Sequence, residues 1–463
     1  MKIFRKYALT TGLLSLSALL YSQQGFVHQS SEEYLWPTDK QVLEKLDKWQ
    51  DLKFGVLFHW GLYAVPGIVE SWSICSEDEG WIPRDSTIAY DEYKKWYWGL
   101  IDQFNPIGFD PEQWARVTEK AGMKYMIFTT KHHDGFNMFD TKQTDFSIMH
   151  GAFKNNPKAN VAKYVLEAFR KRKFMVGTYF SKPDWHSEYY WWPRYATSNR
   201  NVNYKIERHP QRWEKFQQFT YRQIEELMSE YGDVDILWLD GGWVAAPKQD
   251  IKMDEIADMA RRHQSGLLIV DRTIHGKNEN YLTPERSIPD RQLPFPWESC
   301  ITLSNDWGWV PNAPFKNPDE VIALLAEVVA KGGNLLLGVG PTPEGLIQPE
   351  VVDRLDETGK WLEMNGKSIY NTRITPIYNS GNVWFTADKD GETLYAIHVP
   401  KKDSKETAIE WEGNIPRKNS KITFLQTGKT VKWSVKEGKV KIILPDKFAK
   451  DKSIKAFSFK KDK

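Results

Sequence analysis

The 463-residue sequence contains only two cysteines, Cys75 and Cys300, so disulfides cannot form its scaffold. One bridge between them stays open, because a sequence does not show how closely two Cα atoms approach. The chain also lacks an excess of one charge, since 63 basic and 61 acidic residues give a formal net charge of +2. This balance gives no indication of a nucleic acid or another polyanion as partner.

Several short catalytic motifs are missing as well. No G-x-G-x-x-G turn follows the first apolar segment, which disfavours a dinucleotide-binding fold. No G-x-S-x-G elbow is present, so a serine nucleophile of that type is poorly supported. His132 and His133 are adjacent, and neighbours on an extended strand point to opposite faces. No further cluster with ligand spacing lies near them, and we therefore expect no catalytic metal.

Long apolar runs are absent beyond the amino terminus, so we expect no membrane span. Residues 1–22 begin with Lys2, Arg5 and Lys6, continue as an apolar run and end in small residues near Ser22. This order is typical of a secretory signal peptide. We therefore expect an exported protein, with the periplasm as the favoured destination and the extracellular space as the alternative.

Residues 23–368 alternate short apolar runs with amphipathic segments. The runs predict strands at 54–61, 125–131, 174–181, 235–240, 267–272 and 334–340. Helices are predicted between them, for example at 110–122 and 160–173. Such alternation indicates a parallel sheet covered by helices, and its repetition favours a (β/α)8-like TIM barrel. Residues 273–316 carry no clear period and are expected to form loops.

Residues 369–463 follow a different pattern. Apolar and polar residues alternate in short segments, and turn pairs such as Asp390-Gly391 and Glu437-Gly438 separate them. This pattern predicts a C-terminal antiparallel β-sandwich.

In a (β/α) barrel the functional side chains lie at the carboxyl ends of the strands. Those ends predict a mouth that holds imidazoles, aromatic rings, an arginine and a carboxylate: His59, His132, His133, Tyr179, Trp238, Asp240 and Arg272. Asp240 ends a buried strand, and Gly241 and Gly242 behind it leave access to its side chain. A simple turn-forming role for Asp240 stays open at this point.

Two carboxylates are the chemistry that such a mouth offers. Asp240 needs a partner, and both Glu285 and Glu298 lie in the loop-like region that could fold over it. Each glutamate has a plainer interpretation, as a surface residue or as the ion-pair partner of Arg286 or Arg291.

Ordered segments of the chain match a known family: "FGVLFHWG", "TKHHDGF", "LWLDGGW", "VDR", "WESC" and "KGGNLLLGVGP". Together they resemble the retaining α-L-fucosidases of glycoside hydrolase family 29, from about residue 35 to the carboxyl terminus. The resemblance implies a TIM-like barrel with a C-terminal β-sandwich, secretion, and a fucosylated oligosaccharide or glycan as substrate. It also implies that no metal or organic cofactor takes part.

By position, the resemblance implies that Asp240 is the nucleophile and Glu285 the acid/base, with Glu298 as the fallback. It implies contacts with the sugar or the nucleophile for the remaining members of the site: His59, Trp72, His132, His133, Tyr179, Trp238, Arg272 and Trp307. The family often has an adjacent Glu-Trp pair, whereas Ser71 separates Glu70 from Trp72 here. Only Trp72 of that pair is carried over.

The expected activity is hydrolysis of terminal α-L-fucosyl residues by double displacement. Two alternatives remain at this stage, a related barrel glycosidase for another sugar and a non-catalytic carbohydrate-binding homologue. The sequence determines neither the linkage, whether α-1,2, α-1,3/4 or α-1,6, nor the oligomeric state.

Overall fold

The computed structural model of the protein describes residues 34–75, 84–85, 87–401, 408–444, 448 and 451–461. The signal peptide expected over residues 1–22 lies outside the described residues. None of the helices in the described ranges combines the length and apolar content that crossing a membrane requires.

The first part of the chain is built on a sheet of seven parallel strands, paired in the order β5-β4-β3-β2-β1-β7-β6. Its members are β1 (Phe54–Phe58), β2 (Tyr125–Lys131), β3 (Met175–Ser181), β4 (Ile236–Asp240), β5 (Leu268–Asp271), β6 (Glu298–Thr302) and β7 (Asn334–Val339). Almost every strand residue is buried, because helices cover the outside and side chains fill the inside. The arrangement confirms the predicted TIM-like barrel.

Eight α-helices accompany these strands in the described part of the chain. They are α1 (Lys40–Leu52), α2 (Tyr90–Trp98), α3 (Pro111–Lys120), α4 (Val161–Lys171), α5 (Pro210–Glu230), α6 (Met253–His263), α7 (Pro318–Ala330) and α8 (Pro349–Asn365). Capping side chains mark the first turns of two of these helices. The Asp110 side chain accepts hydrogen bonds from the first backbone N–H groups of α3, and Asn317 and Glu320 form a capping box on α7.

Among the described residues the barrel closes without an eighth regular strand. Residues 278–286 run through the gap between β5 and β6 and make isolated bridges to both neighbours: Val270 with Glu279, Leu282 with Trp297, and Glu285 with Cys300. The expectation that 273–316 is entirely loop was therefore wrong, since it contains both this extended segment and β6. The segment matters for function because it delivers Glu285 to the rim.

The inside and the outside of the barrel hold separate apolar clusters. The inner cluster contains α1 residues Val42, Leu46 and Trp49 together with inward-facing strand side chains such as Tyr179 and Trp238. Helix α1 thus plugs one end of the barrel, and the aromatic rings above it form the base on which the site is built.

An antiparallel β-structure follows α8. Its strands are β8 (Thr372–Arg373), β9 (Asn379–Ser380), β10 (Val383–Asp388), β11 (Thr393–His398), β12 (Ile409–Glu412), β13 (Ile422–Phe424), β14 (Lys429–Lys436), β15 (Lys439–Ile443) and β16 (Lys455–Lys460). Strand β14 pairs with β13 through its first residues and with β15 through its last, so the sheet folds over its own core. This is the expected C-terminal β-sandwich.

The two cysteines of the chain do not form a disulfide. Cys75 and Cys300 are both buried, and Cys300 is a free thiol inside the barrel, so no bridge joins the two residues.

Candidate active site

Asp240 occupies the last position of β4, at the mouth of the barrel. Its Oδ2 accepts a hydrogen bond of 2.8 Å from the Tyr179 hydroxyl, and its Oδ1 accepts one of 3.0 Å from Nη1 of Arg272. Burial alone would raise the pKa of Asp240, but the charge of Arg272 and the hydrogen bond from Tyr179 outweigh burial and hold the pKa well below its usual range. The carboxylate therefore stays ionised.

The glycines behind Asp240 have a geometric cause. Gly241 has a φ of +84°, a conformation that disfavours residues with a side chain, and a Cβ there would collide with Pro183. A Cβ on Gly242 would meet the side chain of Thr273. The sharp turn after β4 packs against two neighbouring loops, and this is the reason that Asp240 is followed by two glycines.

Glu285 reaches the same mouth from the extended segment 278–286. One carboxylate oxygen accepts a hydrogen bond from Nη2 of Arg272, and the other accepts one of 3.0 Å from the indole N–H of Trp307. Arg272 thus lies between two carboxylates and donates to Asp240 from one end of its guanidinium and to Glu285 from the other. The planar guanidinium bridges the two carboxylates with one charge-assisted hydrogen bond to each, and its fixed geometry orients both.

Glu298, the fallback acid/base, does not lie at the mouth. It is the first residue of β6, at the opposite end of the barrel, and its side chain is fully buried. Its oxygens accept hydrogen bonds from the Tyr125 hydroxyl (2.7 Å) and from Nε1 of Trp238 (3.1 Å). Of the two candidate partners, only Glu285 therefore approaches Asp240.

His59 follows β1 and is buried beneath the mouth. Its Nδ1 lies 3.2 Å from the hydroxyl of Thr129, whereas its Nε2 has no hydrogen-bond partner among the described residues. Burial lowers the pKa of His59 to about 3, although the charge of Asp240 acts in the opposite direction. The neutral ring keeps one nitrogen available for a ligand.

His132 and His133 lie just beyond β2, where the chain turns. Their ring centroids are 4.2 Å apart, so the two rings line the same side of the mouth. The rule that neighbouring side chains point to opposite faces does not apply here, because it holds only for an extended chain and β2 ends at Lys131. Each Nδ1 has its own serine partner, Ser71 for His132 at 2.5 Å and Ser181 for His133. Nε2 of His133 lies 3.9 Å from Asp240.

Burial keeps this histidine pair neutral. It lowers the pKa of His133 to about 4 and that of His132 well below its usual value. No group of three His, Cys, Asp or Glu side chains within the described ranges has an arrangement that could hold a metal ion. The two imidazoles are therefore placed as hydrogen-bonding groups for a polar ligand.

Aromatic rings line the sides of the candidate site. Trp72 packs edge-on against His133, with centroids 4.8 Å apart. Trp238 stacks on Tyr179 at 5.3 Å, and the guanidinium of Arg272 lies 5.1 Å from the Trp238 ring. These contacts join most of the side chains expected at the site into one continuous arrangement.

Sequence reasoning missed the part played by Glu70. The residue has a positive φ of +33° and is buried, and its Oε1 accepts hydrogen bonds from the backbone N–H groups of Trp307 (3.0 Å) and Gly308 (3.1 Å). Burial raises its pKa to about 8. Glu70 thereby fixes the loop whose indole donates to Glu285. The only signal in the sequence was the family's Glu-Trp pair, which Ser71 interrupts here.

Two further residues, Trp243 and Arg200, border the mouth beside Trp72. The Arg200 guanidinium lies 5.0 Å from the Trp72 ring and 5.1 Å from the Trp243 ring. Trp243 stood in the segment "LDGGW" and could have been identified there, whereas nothing in the sequence around Arg200 singled it out.

Comparison with known proteins identifies the family. The sequence model of the family described as Alpha-L-fucosidase matches residues 21–367, well over half of the chain. The chain is similar to human tissue α-L-fucosidase, with 28% identity over 424 residues that cover 84% of this chain and 83% of the human protein.

Solved structures show the same likeness. α-L-Fucosidase isoenzyme 1 from Paenibacillus thiaminolyticus superposes with a TM-score of 0.77 at 27% identity, covering 92% of this chain and 100% of the other. The α-fucosidase of Thermotoga maritima in complex with a mechanism-based inhibitor gives 0.72 at 25% identity, covering 92% and 100%. The chain therefore belongs to the α-L-fucosidase family, glycoside hydrolase family 29, and is a glycoside hydrolase.

Proposed function

We propose that the protein is a retaining α-L-fucosidase that removes terminal α-L-fucosyl residues from oligosaccharides or glycoconjugates by double displacement. The family match supports the substrate class. The observation that carries the assignment of roles is the single guanidinium of Arg272, which bonds Asp240 and Glu285 at once. Retaining glycosidases need two carboxyl groups only about 5–5.5 Å apart, and a shared arginine draws such a pair together.

Asp240 is the nucleophile in this proposal. Its carboxylate attacks the anomeric carbon, the glycosidic bond breaks, and a fucosyl-enzyme ester forms. A nucleophile must be ionised at the working pH, and the hydrogen bonds from Arg272 and Tyr179 hold Asp240 in that state. The same two donors also fix the direction in which its oxygens point.

Glu285 is the general acid and base. It gives a proton to the departing glycosidic oxygen in the first step and takes one from water in the second. Glu285 is more exposed than Asp240, with 28% against 18% of the side chain accessible, which suits a group that must meet both the leaving alcohol and water. The indole of Trp307 fixes one of its oxygens.

Neutral imidazoles and aromatic rings bind the sugar. His59, His132 and His133 offer ring nitrogens to hydroxyl groups, and Nε2 of His59 has no hydrogen-bond partner among the described residues. Trp72 and Trp307 are each half-buried and present flat apolar surface, which suits the less polar face and the methyl group of a deoxysugar.

Export is part of the proposal, with residues 1–22 as a cleaved leader and the periplasm as the favoured location. Its support is the order of basic, apolar and small residues in the sequence. Amino-terminal sequencing of the protein recovered from a secreting host tests it. A mature terminus after Ser22 is expected, and an intact Met1 would contradict export by this route.

Leaving-group dependence tests the catalytic roles. The kcat/KM values of wild type, Asp240→Asn and Glu285→Gln are compared on an oligosaccharide and on an aryl fucoside whose phenol needs no protonation, because kcat/KM reports the first step alone. We expect Asp240→Asn to be inactive on both and Glu285→Gln to be impaired mainly on the oligosaccharide. An equal loss of activity on both substrates in Glu285→Gln would reject Glu285 as the acid. A parallel assay with an aryl galactoside tests whether fucose is the preferred sugar.

A further inference from the structure

A carboxyl group lies deep inside the barrel, away from the mouth, and the mechanism makes no use of it. Glu298 begins β6, its side chain is fully buried, and each of its oxygens accepts one hydrogen bond. The donors are the hydroxyl of Tyr125, at the start of β2, and the indole N–H of Trp238, in the middle of β4. The interior of a TIM barrel is normally filled by apolar side chains, so a carboxyl group there needs a physical reason.

Trp238 connects this carboxyl group to the site. One side of the indole stacks on Tyr179, with centroids 5.3 Å apart and planes inclined by 25°. The guanidinium of Arg272 lies 5.1 Å from the same indole. Tyr179 and Arg272 are the two residues that donate hydrogen bonds to Asp240. The orientation of the indole plane therefore bears on both donors at once.

We infer that Glu298 is a positioning residue: by anchoring the indole N–H of Trp238 it holds Tyr179 and Arg272 in the orientation that aligns Asp240 for attack. This inference rests on the proposed role of Asp240 as nucleophile. Glu298 itself touches neither the sugar nor the reacting atoms. An aromatic ring without an anchored polar edge would be free to tilt, and Tyr179 and Arg272 would tilt with it.

The electrostatic setting agrees with such a role. Burial raises the pKa of Glu298 to about 7, and the positive charge of Arg272 acts in the opposite direction. The charge of Arg272 therefore acts on Glu298 as well as on Asp240, which it contacts directly. Burial of a carboxyl group is energetically unfavourable unless its oxygens are hydrogen-bonded. Here one partner is the Tyr125 hydroxyl and the other is the indole N–H of Trp238, the ring that supports the site.

The contacts of Glu298 provide variants with opposite expectations. Glu298→Gln keeps an oxygen for the indole N–H and gains an NH2 group that can donate to the Tyr125 hydroxyl, so both contacts survive. Glu298→Leu loses both. Tyr125→Phe removes the donor that has no link to Asp240, and Trp238→Phe removes the indole N–H while it keeps an aromatic ring.

The rate constant of covalent labelling by 2-fluoro-fucosyl fluoride isolates the step in question. The Asp240 carboxylate forms a bond to the anomeric carbon, the carbon–fluorine bond breaks, and fluoride departs with the electron pair, so no acid is required. Labelling is followed at saturating reagent and at a temperature below the unfolding transition of every variant. Saturation kinetics separate the maximal rate constant from the reagent affinity.

We expect Glu298→Leu and Trp238→Phe to lower the maximal rate constant by up to about 10²-fold, the cost of a displaced reacting group, with little change in affinity. Glu298→Gln and Tyr125→Phe should label at nearly the wild-type rate. The double variant Glu298→Leu/Trp238→Phe should be no slower than the slower single variant, because both act through one hydrogen bond.

Two results would overturn the inference. One is labelling of Glu298→Leu and Trp238→Phe at the wild-type rate. The other is equal slowing in Tyr125→Phe, which would indicate general loosening of the barrel interior. If Glu298→Leu does not fold, Trp238→Phe and its combination with Glu298→Gln decide the question. Mass spectrometry of labelled wild type separates this from the proposed function, since a label away from Asp240 would reject the nucleophile assignment whatever the variants do.

Discussion

Arg272 holds Asp240 and Glu285 at the two ends of one guanidinium, with Nη1 on the aspartate at 3.0 Å and Nη2 on the glutamate. The arginine follows β5, the aspartate ends β4, and the glutamate comes from the segment that closes the barrel between β5 and β6. The alignment of both carboxylates, and the ionised state of Asp240, therefore depend on a residue that lies between them.

Arg272→Gln should move the acid limb of the kcat/KM profile to higher pH. The positive charge of the arginine helps to hold the pKa of Asp240 below its usual range, so its removal lets that pKa rise toward the ordinary value of about 3.9. Because a protonated carboxyl group is not a nucleophile, activity is then lost at a higher pH than in wild type. Arg373→Gln, which removes the same charge from an ion pair with Asp47 and Asp51 far from the mouth, is the matched control and should leave the limb in place. An unshifted limb in Arg272→Gln would contradict this account of Asp240.

Glu285→Gln should lower kcat/KM on a fucosylated oligosaccharide by about 10²–10⁴-fold, the usual contribution of general acid catalysis. The loss should shrink on aryl fucosides as the leaving phenol becomes more acidic, because less protonation is needed. A plot of log kcat/KM against phenol pKa measures this directly, since kcat/KM reports the step in which the phenol leaves. It should be steep for the variant and shallow for wild type, and parallel lines would reject the assignment.

Glu70→Ala should impair the same step indirectly. It removes the acceptor for the N–H groups of Trp307 and Gly308, and because the raised pKa of about 8 keeps the Glu70 carboxyl group protonated at neutral pH, each of these hydrogen bonds contributes about 0.5–1.5 kcal/mol. Once the loop is released, Trp307 no longer fixes Glu285, so oligosaccharide hydrolysis should fall more than aryl fucoside hydrolysis. Glu70→Gln keeps an acceptor oxygen and serves as the control. Equal loss on the two substrates would show that Glu70 does not act through Glu285.

The stability of the protein should depend on pH because Glu298 is buried. Its pKa is raised from 4.5 to about 7 in the folded state, so the stabilising effect of the protonated form is complete below about pH 4.5 and is lost as the pH rises through about 7. Glu298→Gln does not titrate. Wild type should therefore lose stability relative to this variant between pH 5 and 8, by on the order of 3 kcal/mol.

Thermal midpoints of both proteins across that range provide the measurement. Glu363→Gln, an exposed substitution on α8, should track wild type at every pH. If the difference between wild type and Glu298→Gln stays constant with pH, the glutamate is ionised throughout and its raised pKa is refuted.

The sequence predicted what depends on local pattern. Apolar runs and helix caps located six of the seven parallel strands and the start of α3, because strand burial and helix capping depend on residues that are close together in the sequence. It also predicted that the strand ending on Asp240 would bring that residue to the mouth. The closing segment 278–286 was not predicted, since its hydrogen bonds run to strands distant in the chain and leave no period in its own residues.

The same limit applies to the side chains. Glu285 was suggested by resemblance rather than by pattern, and Glu298 was retained beside it because nothing local shows at which end of a strand a glutamate will lie. The turn that places His132 and His133 on one side also depends on contacts with Ser71 and Ser181. Roles that depend on tertiary contacts became visible only in the folded chain.

The most direct test of the account is the anomeric configuration of the product that azide forms with two rescued variants. In Asp240→Gly, azide takes the place of the missing nucleophile and inverts the centre once, so β-L-fucosyl azide is predicted. In Glu285→Ala, azide attacks the fucosyl-enzyme in place of water, and two inversions should give α-L-fucosyl azide. The reverse pattern, or no rescue of either variant on an activated substrate, would contradict the pairing of Asp240 with Glu285.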